Sequence, residues 1–311
     1  MRLPRRRLHA SEAARGVAVP GAPRRRSRFG ASTAILLAPA AFLFALFVIY
    51  PIGRTIALSL YDWDGINPKR FVGLGNYREL FGDPLFGTAL ANNLRWLACY
   101  LAAPVAGLAL AILVNQSMRG MRLVRSLFFM PFVISQIVVG LVFGWFFNAR
   151  FGLFDKLLAA IGLPPISPLD SDRYAVYTMV VAGLWPQTAY CMILYLAGLA
   201  AMPREAIDAA RVDGASGFAL FRRVVFPQLR PVQFIVAMVC AVSALRSFDY
   251  VIIMTGGGPY DSSTVLAYYM YEQTFQSLRY GYGAAIAVVL LALMSAIIAM
   301  LLFRLFRSEA R

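Results

Sequence analysis

Long unbroken apolar stretches alternate with short polar ones along this chain. Six of them, near residues 33–59, 91–115, 124–147, 175–200, 231–253 and 283–306, are long enough to cross a bilayer core, which takes about 20 residues as helix. They lack the strict alternation of barrel strands, and unpaired backbone groups are too costly in lipid for any open form. The pattern therefore predicts an all-α membrane protein with six transmembrane helices. Residues 1–31 read as a disordered basic tail and residues 32–311 as the transmembrane domain. Composition agrees: 60% of the residues are hydrophobic and 14% charged, against roughly 25% charged in soluble domains.

The basic residues set the orientation. With the N-terminus in the cytoplasm, the inner segments hold 20 of the 30 arginines and lysines but only 5 of the 15 acids, so the whole formal charge of +15 falls on that side. The positive-inside rule then gives N-in and C-in. The clustered arginines of the tail, Arg5, Arg6, Arg7, Arg24, Arg25, Arg26 and Arg28, read as a topogenic segment beside anionic membrane lipid rather than a nucleic-acid site or an organellar transit peptide. No cleavable signal peptide is evident, because the first apolar window is long enough to span.

Much chemistry is excluded. Cys99, Cys191 and Cys240 lie inside predicted helices and read as small packing residues. The single histidine, His9, sits in the tail, so neither a histidine metal site nor a Ser-His-Asp triad can form in the membrane body, and no cofactor loop is present. A nucleotide-binding P-loop needs G-x-x-x-x-G-K-[ST]. The only lysines, Lys69 and Lys156, are in no such motif. The chain is therefore not expected to be an enzyme, and any ATP dependence must come from a partner.

Between the fourth and fifth windows lies a polar insertion, REAIDAARVDGASGFALFRRVVFPQLRP, with the loop proper at 204–230. Pro203 closes the preceding helix, and residues 204–212 are good helix formers with acids first and Arg211 last, as the macrodipole favours. Gly214 suits a sharp or left-handed turn. Residues 208–212 and 218–225 thus read as two short helices at an angle, ending at Pro227. Such an element can enter a groove on a partner, or lie on the membrane as an interfacial helix.

The spacing Asp208, Ala209, Ala210, Gly214, Val224, Phe226, Pro227 resembles the EAA motif of bacterial ABC-importer permeases. PIGRTIALSLYDW (51–63), FVGLGNY (71–77), RSLFFMP (125–131), TGGGP (255–259) and YGYGAA (280–285) extend the resemblance to the first permease of carbohydrate importers of the maltose and glycerol-phosphate type. Asp208 stands where that family usually has glutamate, so Glu205, one turn earlier, is placed to share its role. The resemblance implies a bacterial inner-membrane subunit that forms half of a pathway for a sugar or polyhydroxy solute by alternating access. Its implied partners are a second permease, two ATPases that use ATP and Mg, and an extracytoplasmic solute-binding protein. A self-contained secondary transporter or channel is the alternative; it would need repeats or a proton relay, and no clear repeat is visible.

Polar residues at helical spacing within spans mark a candidate pathway. Ser243, Arg246, Asp249 and Tyr250 share a predicted face of the fifth helix. Arg246 lies about 22 Å along it at 1.5 Å per residue. Gln187 with Tyr190, and Phe132 with Gln136, reach comparable depths on the fourth and third helices. The resemblance places Phe132, Gln136, Gln187, Tyr190, Ser243, Arg246 and Asp249 at sugar-contacting positions of maltose permeases. Arg246 and Asp249, three apart, can also pair with each other.

Overall fold

The computed structural model describes residues 31–116 and 118–309; the expected tail, with His9 and its arginines, lies outside them apart from Ala31. The chain divides into two units, Met1–Pro51 and Ile52–Arg311. The described part of the first holds α1 (Ala31–Phe44), a π-helical turn (Ala45–Ile49) and the start of α2 (Tyr50–Leu58).

The second unit continues from α2 into a two-stranded hairpin, β1 (Tyr61–Asp62) and β2 (Arg70–Phe71), with Tyr61 opposite Phe71 and Asp62 opposite Arg70. There follow α3 (Gly75–Gly82), α4 (Pro84–Tyr100), α5 (Ala102–Val114), α6 (Met121–Val133), α7 (Gln136–Phe146), α8 (Leu153–Ala160) and α9 (Ala175–Ala200). Next come α10 (Arg204–Val212), α11 (Gly217–Leu220), α12 (Phe226–Gln228), α13 (Arg230–Leu245), α14 (Phe248–Met254), α15 (Leu266–Tyr271) and α16 (Tyr280–Glu309).

Five helices in the described residues are long and apolar enough to cross a membrane: Ile35–Leu58, Pro84–Val114, Ala175–Ala200, Arg230–Met254 and Tyr280–Arg307. The third sequence window differs from its expected continuous helix. It is the pair α6 and α7, bent by 90°, and makes a sixth span only if the pair counts as one. Pro131 removes a backbone donor near the end of α6, and Ile134 and Ser135 are extended, with ψ of 135° and 138°. The second window also starts earlier, at Pro84 rather than near 91, because Asp83 caps the helix by accepting the Leu85 amide at 2.8 Å and Pro84 fits its first turn. Asp83, Pro84, Gly87 and Thr88 keep that first stretch out of the apolar window.

α9 is the central element, packed against α4, α5, α6, α7, α13 and α14. Lipid tails are as apolar as the side chains, so close packing rather than water exclusion holds such helices together, and small residues permit it. Gly107 on α5 shows the requirement: a Cβ there would lie 2.5 Å from Cys191 Cβ and 2.9 Å from the Met192 amide nitrogen. Cys191 and Cys240 bring α9 and α13 together with sulfurs 3.5 Å apart.

Polar stitches secure the segment between α14 and α16. Asn92 Nδ2 donates to the carbonyls of Ser262 (2.7 Å) and Thr264 (2.8 Å), and Asn93 Oδ1 accepts the Leu266 amide at 2.9 Å. At the same end Asp83 accepts hydrogen bonds from the hydroxyls of Tyr269 and Tyr282, while Arg279 lies over the Tyr282 ring and pairs with Glu79 at 2.6 Å. Partial burial works to raise the Asp83 pKa, but the two hydroxyls, the Leu85 amide and Arg279 favour the carboxylate, and the net effect lies below the ordinary 3.8.

A depressed carboxylate contributes stability that is complete above its unfolded-state value and is lost as pH falls through the lower folded value. Melting midpoints in detergent, followed downward from pH 6, should therefore fall more steeply below about pH 4 for the native chain than for Asp83→Asn. Parallel acid limbs would remove Asp83 from the set of groups that hold this end together.

Candidate functional site

The elbow after α9 is built by helix-termination chemistry. Pro203, extended at ψ 120°, precedes α10, with Glu205 in its first turn and Arg211 in its last. At the other end the Gly214 amide donates to the Arg211 carbonyl at 3.0 Å and the Ala215 amide to the Ala210 carbonyl at 2.9 Å. This is the paired bonding of a Schellman cap, which needs a left-handed residue, and Gly214 has φ +86°. The expected turn at Gly214 is thus present, but both flanking helices are longer than expected: the first starts at Arg204, the second at Gly217. Pro227 does not end the second helix either. It sits in α12, where Gln233 Nε2 donates to the Phe226 carbonyl at 3.2 Å, and the chain runs on through buried Leu229 into α13.

Asp208 and Ala209 are exposed, Ala210 is half-buried and Pro227 is half-buried. Asp208 pairs with Arg211 at 3.6 Å on the exposed face. Val212, 88% exposed, and Phe218, 73% exposed, flank the turn. A polar loop that leaves two large apolar side chains in the open at its apex has the character of an interaction surface.

The candidate pathway residues fall into separate groups. Phe132 of α6 stacks on Tyr190 of α9 with ring centroids 4.6 Å apart and planes 5° apart. Gln136 is exposed at the first position of α7, just past the bend. Gln187 lies elsewhere on α9: it is buried, with Nε2 3.4 Å from Cys240 Sγ.

Ser243, Arg246, Asp249 and Tyr250 do not share one helical face. α13 ends at Leu245, Arg246 takes a non-helical φ/ψ of −101°/28°, and α14 restarts at Phe248. Tyr250 is buried and stacks on Trp96 at 5.8 Å, whereas Ser243 and Asp249 are half-buried and Arg246 is exposed. Among the described residues the ion pairs are Arg70 with Asp62, Arg211 with Asp208, and Arg279 with Glu79; Arg246 and Asp249 do not pair. Instead both line a recess of about 470 Å³ with Phe248, Tyr271, Phe275 and Met294.

Tyr271 and Phe275 were not foreseen from the sequence. Phe248, Tyr271 and Phe275 form a ladder with successive centroids 5.4 Å apart. Their signal was present: Tyr268, Tyr271 and Phe275 recur at helical spacing in a segment too short and polar to read as a span. A recess with aromatic walls and one side chain of each charge can hold a ligand that has apolar faces and hydroxyl edges.

Residues 103–311 match the model of the binding-protein-dependent transport system inner membrane component. The chain belongs to this permease family. It is 34% identical to a probable ABC transporter permease of Pyrococcus horikoshii over 89% of this chain and 96% of that one. It is 33% identical to the sulfoquinovosyl glycerol permease SmoG of Agrobacterium fabrum, covering 88% and 90%, and to the lactose permease LacF of Rhizobium radiobacter, covering 86% and 92%. A bacterial ABC transporter that imports the acidic polysaccharide alginate shares the fold, with TM-score 0.77 at 21% identity over 89% of this chain and 95% of that one. The permease is accordingly a multi-pass inner-membrane protein and a subunit of an ABC importer.

The Gly214 geometry generates a test. Gly214→Ala forces a side chain into the left-handed region at about 1–2 kcal/mol, a factor of roughly 5–30 in local opening. Amide hydrogen exchange over residues 204–215 should rise by that factor, and much less in Gly214→Asn. Unchanged exchange in the alanine variant would show that the cap does not hold the elbow.

Proposed function

We propose that this permease carries a neutral sugar or related polyhydroxy solute, by alternating access, through a pathway that it shares with a second permease. The observation that carries the reading is the recess where Arg246 and Asp249, unpaired with each other, face an aromatic ladder. Rings stack on the C–H faces of a pyranose, while guanidinium and carboxylate serve its hydroxyls. Charge of both signs disfavours an anionic or cationic solute. The name of LacF, a lactose permease, supports the same class.

In this reading six spans run N-in and C-in, with the α6 and α7 pair as the third, and the 204–230 elbow lies in the cytoplasm. Glu205, Asp208, Ala209, Ala210, Gly214 and Pro227 form the docking element for one of two ATPase subunits. Those partners bind ATP and Mg, and this chain binds no cofactor. An extracytoplasmic binding protein delivers the solute at the opposite end.

The elbow is a stiff lever, because its turn is closed by two backbone bonds rather than by side chains alone. It joins α9 to α13, and α9 packs on α6, α7 and α14. Closure of the ATPases on the elbow therefore moves the helices that carry Tyr190, Phe132, Arg246 and Asp249 together. Chemistry in the partner becomes a change of access here without any catalytic group in this chain.

Three outcomes are expected. Gly214→Asp abolishes solute uptake while the protein stays in the membrane, and an ATPase that copurifies with the native chain is lost or uncoupled; native uptake rates in that variant would sink the coupling role. Asp249→Ala loses uptake but retains the whole complex on copurification, and Tyr271→Ala weakens apparent affinity by roughly two- to tenfold, as loss of a ring contact of ~0.5–1.5 kcal/mol implies. Normal uptake by Asp249→Ala would move the solute site away from this recess.

A further inference from the structure

A second recess, of about 420 Å³, lies at the opposite end of the second unit from the elbow and shares no residue with the candidate solute recess. It is lined by Arg54, Ala57 and Leu58 of α2 and by Tyr61, Trp63 and Lys69 of the hairpin. The hairpin is anchored: Asn76 Nδ2 donates to the carbonyls of Ser59 (2.8 Å) and Tyr61 (2.9 Å), the Gly281 amide donates to the Trp63 carbonyl at 3.4 Å, and the Trp63 and Tyr280 rings lie 5.4 Å apart. Its walls are therefore fixed by two other parts of the chain.

The charges in it stand apart from nearby carboxylates. Asp62 pairs with Arg70 at 3.0 Å. Asp64 accepts the amides of Ile66 and Asn67 and the Asn67 side chain. Neither Arg54 nor Lys69 forms an ion pair among the described residues. Lys69 Nζ is instead held 4.4 Å from the centroid of the Trp63 ring, a cation–π contact that presets its position without neutralising it.

Depth identifies the occupant. Arg54 lies one turn, about 6 Å, inside the end of the span at Leu58, and the polar layer of a bilayer is roughly 5–7 Å deep on each side. Tyr61 and Trp63 follow at once, where aromatic side chains sit at headgroup level. Ile56, 45% exposed beside the recess, faces outward as a lipid-facing residue does.

We propose that this recess binds the phosphate headgroup of an anionic phospholipid, with Arg54 and Lys69 on the phosphate oxygens and Ala57 and Leu58 beneath the glycerol. Guanidinium suits two phosphate oxygens at once, and ammonium a third. The site is separate from the solute recess and does not depend on the transport reading.

Each cation facing an anionic headgroup contributes roughly fivefold in binding. The test is native mass spectrometry of the purified importer complex, released from membranes that contain phosphatidylglycerol and phosphatidylcholine. The native complex should retain phosphatidylglycerol in preference, at one extra molecule per copy of this chain. The double variant Arg54→Gln with Lys69→Gln, at an unchanged melting midpoint, should lose that molecule with about 25-fold weaker retention, and Arg54→Lys with Lys69→Arg should keep it. Equal retention by the native and glutamine forms would overturn the proposal, as would loss from the charge-conserving pair. A glutamine variant that keeps the lipid yet loses stimulation by the binding protein, in phosphatidylcholine membranes as well, would assign the recess to a protein contact instead.

Discussion

In hydrocarbon, a backbone N–H or C=O without a partner costs several kcal/mol, and this decides where the chain can leave helical geometry. α9 stays helical for 26 residues through Pro186 and takes the centre of the packing. The departures elsewhere are repaired from inside. Where α13 ends, the Arg246 amide is shared between the carbonyls of Val242 (3.1 Å) and Ser243 (3.3 Å). Where the chain leaves α14 for α15, Asn92 and Asn93 supply from α4 the partners that a helix would have supplied itself. Each irregular stretch that results carries polar or charged side chains into the membrane body. The candidate solute recess is formed where one such stretch, the break at residues 246–247, meets α15 and the π-helical turn after it, which carry Tyr271 and Phe275.

The same constraint makes the elbow stiff. A helix end exposes carbonyls that need partners, and the bonds at Arg211 and Ala210 supply them only while Gly214 stays left-handed. The direction in which α11 leaves α10 is therefore set by backbone chemistry, while the outward face keeps Val212 and Phe218 open to a partner. Stiffness and an open apolar apex are both needed if a force applied at the elbow is to reach α9.

Much of this was legible in the sequence. The fourth window coincides with α9, the first and sixth differ from their helices by a few residues, and Gly214 is the turn that its residue type implied. What stayed hidden has a common physical reason: it depends on contacts between distant segments. The 90° bend at residues 134–135 sits in an apolar run whose hydropathy does not register it, with Pro131 as its one local sign. The early start of α4 rests on the Asp83 cap, and the role of Asn92 and Asn93 shows only once their partners, about 170 residues away, are known. Gln187 looked like a lining residue by spacing, yet its contact with Cys240 belongs to the α9–α13 seam. Tyr271 and Phe275 needed the fold to bring them opposite Arg246.

The break between α13 and α14 also bears on the kind of solute. On an unbroken helix, Arg246 and Asp249 would be neighbours one turn apart, free to neutralise each other. The interruption keeps them from pairing, and two separate charges near hydrocarbon are costly unless something polar or wet meets them. Water in the open recess can do so at rest, and a polyhydroxy solute can replace that water with donors and acceptors of its own. A phosphate would satisfy Arg246 but oppose Asp249, and a cation would do the reverse. The backbone feature that departs most from the expected fifth helix is thus the one that favours a neutral, hydroxyl-rich ligand.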